Sequence, residues 1–243
     1  VTKAKRLADG KAIVTYSWQE LLALKEVDAV VIATQHDSLA TITKAAIAAG
    51  KHVLVEKPAA RSQIELLPVL ELSKNSSLIV RVGFNHRYHR SFQKVKQLLR
   101  QGVLGELMFL RGRYGHGGRL DYEKEWRAEV TKSGGGELID QGPHLIDLSR
   151  WILEEDFSEI QGFAQTYFWN MTVDDNAFLT LRTPTRKTAF LHVSCSEWKN
   201  LFSLEIYGKL GKLEVNGLGG SYGVEKLTWY KMLSEMGPPE TMS

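Results

Sequence analysis

The sequence predicts two successive architectures: a doubly wound α/β segment with a parallel sheet over residues 1–88, then an α+β domain with a mainly antiparallel sheet over residues 89–243. Three observations predict this. Continuous apolar runs of strand length recur at regular spacing in the first third. Segments with helix-start signals lie between them. After Gly105 the rhythm changes to strand-like stretches joined by short turns. Strands alternating with helices read as βαβ units, whereas strands joined by tight turns read as antiparallel neighbours.

Taken in order, Ser17 with Glu20 forms a capping box before Leu21-Leu22-Ala23-Leu24. Asp28-Ala29-Val30-Val31-Ile32-Ala33-Thr34 is then an uninterrupted apolar run, the pattern of a parallel strand buried on both faces. A helix over 39–49 closes at Gly50 in a C′ position, and a second strand spans 52–55. Ser62 and Glu65 form another capping box, opening a helix over 63–74, and a third strand covers 78–84. The domain boundary is expected between Asn85 and Arg90, with a helix over 90–101 following it. Strands are then expected over 107–114, 159–169, 177–182, 188–197, 202–207 and 212–215, with turns at 183–186 and 208–211. The glycine-rich stretch 219–223 follows an antiparallel-type strand and opens no helix, so it reads as a loop.

At 243 residues, 43% of them hydrophobic, the chain can bury one large or two modest cores, and the change of pattern favours two. Its 31 basic and 28 acidic residues leave a net charge of only +3 with no single-sign block, which gives no reason to expect nucleic acid. The single cysteine, Cys195, allows no internal disulfide and reads as a small core hydrophobe in its strand. No apolar run reaches membrane-span length, and Val1-Thr2-Lys3-Ala4-Lys5-Arg6 lacks the apolar core of a signal peptide. A cytoplasmic location is the expectation.

The chemistry concentrates in Gly134-Gly135-Gly136-Glu137-Leu138-Ile139-Asp140-Gln141-Gly142-Pro143-His144-Leu145-Ile146-Asp147. Residues four apart share a helix face, so Asp140 and His144 can act together. An imidazole held by a carboxylate is a suitable general base, since its ordinary pKa lies near neutrality. Each residue also has a plain alternative: His144 as a core histidine, Asp140 as a helix cap. With Asp147 the group suggests a metal site, but a catalytic zinc needs three protein ligands and no further His or Cys stands at helical spacing, so no metal is expected. Upstream, Glu56-Lys57-Pro58 ends the second strand, where open α/β sheets bind ligands. Pro58 biases Lys57 toward an extended backbone, although a solvated surface lysine is the alternative.

Glu56-Lys57-Pro58 followed by Gly-Gly-Gly-x-x-x-Asp-x-Gly-x-His resembles the paired signature of the Gfo/Idh/MocA oxidoreductases, which use NAD or NADP on sugars and polyols. The resemblance spans nearly the whole chain and implies a Rossmann-type first domain. It implies that the chain is incomplete at its N-terminus, since no Gly-x-Gly-x-x-Gly turn occurs, and that it stops early, with 236–240 leading nowhere. Weakened dinucleotide binding is the corollary.

By the same resemblance, His144 takes the hydroxyl proton while hydride leaves the same carbon, and Asp140 orients it or holds a second hydroxyl. Lys57 bonds the hydroxyl and the nicotinamide ribose, and Glu56 contacts the cofactor. Thr34, Gln35 and His36 correspond to the loop beneath the adenine ribose and pyrophosphate, although the family often carries proline at the place of Gln35 and a second histidine near Leu39. Asp37 or Ser38 capping the next helix is the alternative there. Asn85, on the cofactor side, and Arg87, on the substrate side, match a segment lining the family's interdomain cleft, against an alternative as linker residues. Sugars are held by aromatic faces and forked hydrogen bonds, so His116, Arg119, Trp126 and Arg127 are candidate substrate contacts. A structural role for Trp126 is the alternative. Family members pair through the open face of the second sheet, which implies a homodimer or homotetramer using residues such as Phe163, Tyr167 and Trp169. Two rivals remain: a sugar- or dinucleotide-binding fragment without turnover, and an NAD-dependent glycoside lyase or hydrolase of the same family.

Overall fold

The computed structural model describes residues 2–235 and 241–242. It divides into two units, Val1–Gly83 and Phe84–Ser243, so the division falls at 83/84 rather than at the expected 88/89. Residues 84–88 join the second unit because His86 and Arg87 pack on a helix of that unit.

In the first unit, α1 (Thr2–Ala8) buries no residue. The next helix, α2 (Trp18–Ala23), starts as its capping signal predicts: the Glu20 N–H donates to Ser17 Oγ at 3.2 Å, and Glu20 Oε2 accepts from Tyr16 N at 3.0 Å. Then follow β1 (Ala29–Ile32), α3 (His36–Ala48), β2 (His52–Val55), α4 (Gln63–Lys74) and β3 (Val80–Val82). Gly50 ends α3 with φ +74°, and the Glu65 N–H donates to Ser62 Oγ at 3.3 Å at the head of α4. The three strands pair in parallel in the order β1-β2-β3, with Val30 opposite Val53 and Val53 opposite Val80.

One expectation is corrected. The strands are covered on one face only: Val30, Ile32, Val53 and Val55 are buried, while Val31 is 73% and Leu54 45% exposed. Leu22 of α2, Leu39, Ile42 and Ile47 of α3 and Val69 of α4 share one core with the buried set, so all three helices lie on the same side of the sheet.

The second unit runs α5 (Arg90–Arg100), β4 (Leu107–Gly115), α6 (Val130–Ser133), α7 (Glu137–Asp140), α8 (Gly142–Leu153), β5 (Glu159–Gln165), β6 (Asn176–Arg182), β7 (Thr188–Ser194), β8 (Leu201–Gly208), β9 (Gly211–Asn216), β10 (Lys226–Lys231) and β11 (Thr241–Met242). Its eight strands take the order β11-β10-β9-β8-β4-β7-β6-β5, antiparallel except for β4 and β7. Alternate residues face inward, as period-two patterning requires. Leu110, Leu191, Leu204, Ile206 and Leu213 meet Phe92 and Val95 of α5 and Leu145, Leu148 and Ile152 of α8. Each such side chain contributes about 1.5–3 kcal/mol by leaving water. The opposite face is polar and aromatic, with Arg111 paired to Glu205 and Phe109 stacked on Tyr207.

Two strands of this unit are shorter than expected, for one reason. Asp175 accepts from the N–H groups of Tyr167 (2.9 Å), Phe168 (2.7 Å) and Trp169 (3.0 Å), which pulls the chain out of the ladder after Gln165. Its carbonyl takes the Cys195 N–H at 2.9 Å, ending β7 at Ser194. Cys195 is therefore buried just beyond its strand rather than within it. β10 and β11 were not anticipated. Residues 219–223 do form a loop, built around a single turn over Gly220–Tyr222. The stretch 236–240 lies outside the described residues. Among those described, no helix is long and apolar enough to cross a membrane.

Candidate active site

The glycine cluster shapes the site by letting another segment approach. Gly134 ends α6 at φ +85°, and a Cβ at Gly136 would lie 1.8 Å from the Asp174 carbonyl oxygen. That closeness lets Asp174 cap α7: its carboxylate accepts from Gly136 N at 2.9 Å and Leu138 N at 2.7 Å, and its carbonyl accepts from Glu137 N at 3.0 Å. The donors at the start of a helix are thus satisfied by an acid, the charge that its dipole favours.

The single helix expected through Asp140 and His144 is broken at Gln141. Pro143 has no N–H with which to continue the ladder and sits at the start of α8. Asp140 therefore closes α7 while His144 lies in the first turn of α8, and both are buried.

A loop from β4 is fastened over this corner. Glu137, 2% exposed, accepts from the Tyr122 hydroxyl at 3.0 Å, and its Oε1 lies 3.4 Å from His116 Nε2. His116 Nδ1 accepts from Gly118 N at 3.0 Å, which assigns the ring proton to Nε2, toward Glu137. Both ring nitrogens of His116 thus brace the loop. Burial pushes the Tyr122 phenol up, and the Glu137 charge adds to this; burial also raises the Cys195 thiol beside the same carboxylate. Arg127 reaches down from the loop, with Nε 3.1 Å from Asp140 Oδ2 and its guanidinium 4.6 Å from the centre of the Trp126 ring. Arg119 is more exposed and pairs with Glu125 at 2.6 Å.

On the other side of His144 lies the turn Asn85–Tyr88. The His86 ring stacks on His144 with centroids 3.9 Å apart and planes at 23°. Asn85 Oδ1 is 2.8 Å from His86 Nδ1. Arg87 forks onto Asp147, with Nε 2.7 Å from Oδ2 and Nη2 on Oδ1, which raises the guanidinium pKa further. The guanidinium expected on the substrate side is thus engaged by a carboxylate that the sequence suggested only as a metal ligand. Tyr114 stands edge-on to both imidazoles, and burial, followed by its contact with Tyr222, pushes its phenol up.

Asp140, His144, Asn85, Arg87, His116, Trp126 and Arg127 are therefore held by one set of elements in the second unit, with Arg119 at its rim. The remaining candidates belong to the first unit and follow the ends of adjacent strands. Thr34 and Gln35 come after β1, and Ser38 Oγ closes that turn onto Thr34 Oγ1 at 2.8 Å and onto the Gln35 carbonyl at 3.0 Å. His36 begins α3 and is buried. Glu56 and Lys57 come after β2, where the Glu56 N–H donates to the Ile32 carbonyl at 2.9 Å and the Lys57–Pro58 bond is cis. Gln35, the residue that precedes α3, makes no side-chain cap, and its carbonyl accepts from the Ser38 N–H at 3.2 Å. The carboxyl ends of adjacent parallel strands are where such sheets bind hydroxyl-rich ligands such as a dinucleotide. Sequence reasoning missed His86, Tyr114, Glu137 and Asp174. Asp174 alone carried a signal, as an acid beside Asp175 after an expected strand. Among the described residues, no three His, Cys, Asp or Glu side chains are grouped to hold a metal ion.

Residues 92–214 match the model of the GFO/IDH/MocA C-terminal domain, and residues 2–84 match that of the oxidoreductase family with an NAD-binding Rossmann fold. The chain belongs to the Gfo/Idh/MocA family. It is 30% identical over 155 residues to levoglucosan dehydrogenase of Pseudarthrobacter phenanthrenivorans, covering 63% of this chain and 40% of that protein. To inositol 2-dehydrogenase of Salmonella typhimurium it is 26% identical over 145 residues, covering 59% and 40%. The fold of a levoglucosan dehydrogenase complex with NADH and levoglucosan superposes with a TM-score of 0.89 at 23% identity, covering 99% of this chain and 68% of that one. The chain thus spans about two-fifths of these curated relatives' length. Gfo/Idh/MocA membership accounts for the two-unit plan, a Rossmann-type parallel sheet followed by a larger mixed one.

Proposed function

We propose that this Gfo/Idh/MocA protein is an NAD(P)-dependent oxidoreductase acting on a hydroxyl carbon of a sugar, a polyol or a sugar derivative. The observation that carries the reading is the buried pair at the α7–α8 corner: His144 lies in the first turn of α8, and Asp140, ion-paired to Arg127, closes α7. A bound nicotinamide would supply the hydride acceptor. The residues of the chain handle the proton and the orientation. His144 takes the hydroxyl proton as general base, Asp140 holds the imidazole or a neighbouring hydroxyl, and Lys57 bonds the reacting oxygen. Thr34, Gln35, His36, Glu56, Lys57 and Asn85 serve the cofactor. Among the substrate candidates, Trp126 is the direct contact, Arg119 contributes at the rim, Arg127 acts by holding Asp140, and Arg87 and His116 act by holding the walls.

Self-association as a homodimer or homotetramer through the open sheet face is part of the same reading. Phe163 is 72% and Phe190 49% exposed there, whereas Trp169 turns inward, donating its indole N–H to the Cys195 carbonyl at 2.8 Å. A cytoplasmic location accords with the single, buried cysteine.

The test is incubation with NAD or NADP and a panel of sugars and polyols, followed at the absorbance of the reduced nicotinamide. Accumulation of NADH or NADPH that falls at least about 100-fold in His144→Asn and in Lys57→Met supports the reading. Cleaved glycoside without net cofactor change would instead indicate a lyase or hydrolase, and sugar binding without turnover a binding protein.

A further inference from the structure

His144 does not face its surroundings as a lone imidazole. His86 is equally buried, at 5% exposure, and its ring lies almost parallel to that of His144 at a centroid separation of 3.9 Å. The stack is held from both sides. Tyr114 of β4 stands edge-on to His86 at 5.1 Å and to His144 at 5.9 Å, and Phe202 of β8 tilts against His86 at 5.8 Å. Along the turn, Asn85 fixes His86 Nδ1, and the Arg87 fork on Asp147 pins the same turn to the helix whose first turn carries His144.

The charges around the stack do not favour two protons on it. Arg87 and Asp147 offset one another. Asp140, four residues before His144, is shared with Arg127. Glu225 is engaged by the Ser91 N–H and by His89, whose ring meets His86 edge-on at 5.6 Å. Tyr114 and Tyr222 are phenols raised by burial and carry no charge near neutrality. Two imidazolium rings in van der Waals contact in such a place repel strongly, and groups coupled this closely lose their protons in steps that belong to the pair.

We propose that His86 is a positioning residue that makes His144 half of a one-proton pair: the stacked imidazoles together take up at most one proton near neutral pH and refuse a second. This rests on the reading of His144 as the base. It gives that base a definite capacity. The neutral pair accepts one proton from a substrate hydroxyl, the charge lies against the face of a neutral ring, and the pair must release that proton before the next turnover.

The experiment is an NMR pH titration of the ring nitrogens in the 243-residue protein, which has seven histidines, and in His86→Phe and His144→Phe. Each variant supplies the titration of one ring without its neighbour. If the pair is coupled, the second protonation step in the unsubstituted protein lies at least about one pH unit below the lower of the two single-ring values. Wild-type steps that coincide with the two single-ring values overturn the proposal. Should either Phe variant lose its native near-UV circular dichroism, Gln at the same position supplies the reference. The titration needs no turnover, so coupled steps in a protein that oxidises no sugar would refute the oxidoreductase reading and leave the pair standing.

Discussion

Arg87 grips the carboxylate of Asp147 with both arms of its guanidinium, sixty residues apart in sequence and one helical turn beyond His144. The contact fastens the turn Asn85–Tyr88 to α8. The Asp147 side chain is 7% exposed and that of Arg87 38%. Arg87→Ala leaves a nearly buried carboxylate without its cation, and with the arginine partly solvated the cost is about 2 kcal/mol, between the values for exposed and for buried pairs. Arg87→Lys keeps the charge, loses the fork and costs about 1 kcal/mol. Urea midpoints report both, and a double variant with Asp147→Ala should be less destabilised than the sum of the singles.

Gly136→Ala should be the most damaging single-methyl change in the glycine cluster. Its Cβ would fall on the Asp174 carbonyl, a backbone atom that cannot rotate away, and would displace three hydrogen bonds at the start of α7. A loss of about 3 kcal/mol or more is expected, measured as a lower melting temperature. By contrast, Gly219→Ala meets nothing within 4 Å and incurs only the strain of its positive φ of +79°.

Alkaline unfolding should depend on the buried phenols. Burial raises Tyr122 and Tyr114 above the ordinary value of 10.0, with Glu137 and Tyr222 respectively adding to the shift. For an acid whose folded pKa is raised, the unfolded chain loses its proton first, so this share of stability is complete below about pH 10 and declines as pH rises beyond it. Tyr122→Phe removes the hydrogen bond to Glu137, costing about 1–2 kcal/mol at neutral pH, and flattens the fall of stability above pH 10. A denaturation series from pH 8 to 11.5 checks both parts.

Much of this was legible because its causes are local. Ser17, Ser62 and Gly50 act within a turn of themselves, and the helix starts and stops are where they indicate. The spacing of Asp140 and His144 identified the corner. What escaped depends on distant partners. Nothing near Arg87 announces Asp147, nothing near the glycines announces Asp174, and the break at Gln141 follows from a proline that is compatible with a helix start. The apolar runs of β1 and β2 implied cover on two faces, but a pattern records which residues are apolar and not how many helices arrive to cover them. β10 was readable in retrospect, since Leu227 and Trp229 alternate with Lys226, Thr228 and Tyr230, but the buried residue Thr228 obscures the period.

The acid limb of stability should contain an identifiable contribution from Glu155. The Lys187 ammonium, 2.6 Å away, followed by the hydroxyls of Thr185 and Thr183, holds its carboxyl down to about 2. A depressed acid stabilises above its unfolded value and loses that contribution as pH falls, here between about 4.5 and about 2. Glu155→Gln should therefore be less stable than the unsubstituted protein at pH 6 and approach it at pH 2. Equal differences at both pH values would show that the ion pair is not linked to folding.

Arg127→Met separates orientation from binding at the α7–α8 corner. The arginine lies over Trp126, touches Asp140 at 3.1 Å and comes within 3.7 Å of Glu125, so its head group reaches the acid while its stem covers the indole. Methionine keeps most of the apolar contact and removes the charge-assisted bond. If Arg127 chiefly holds Asp140 in place for His144, kcat falls at least about 10-fold with KM little changed, because an interaction needed for proton transfer has been lost. If it chiefly grips the substrate, KM rises while kcat holds. The first outcome is expected, since the Asp140 side chain is only 9% exposed and Arg127 Nε lies 3.1 Å from its Oδ2. Lys at the same position should restore only part of the rate, because an ammonium cannot reproduce the directed Nε–H bond or the stacking.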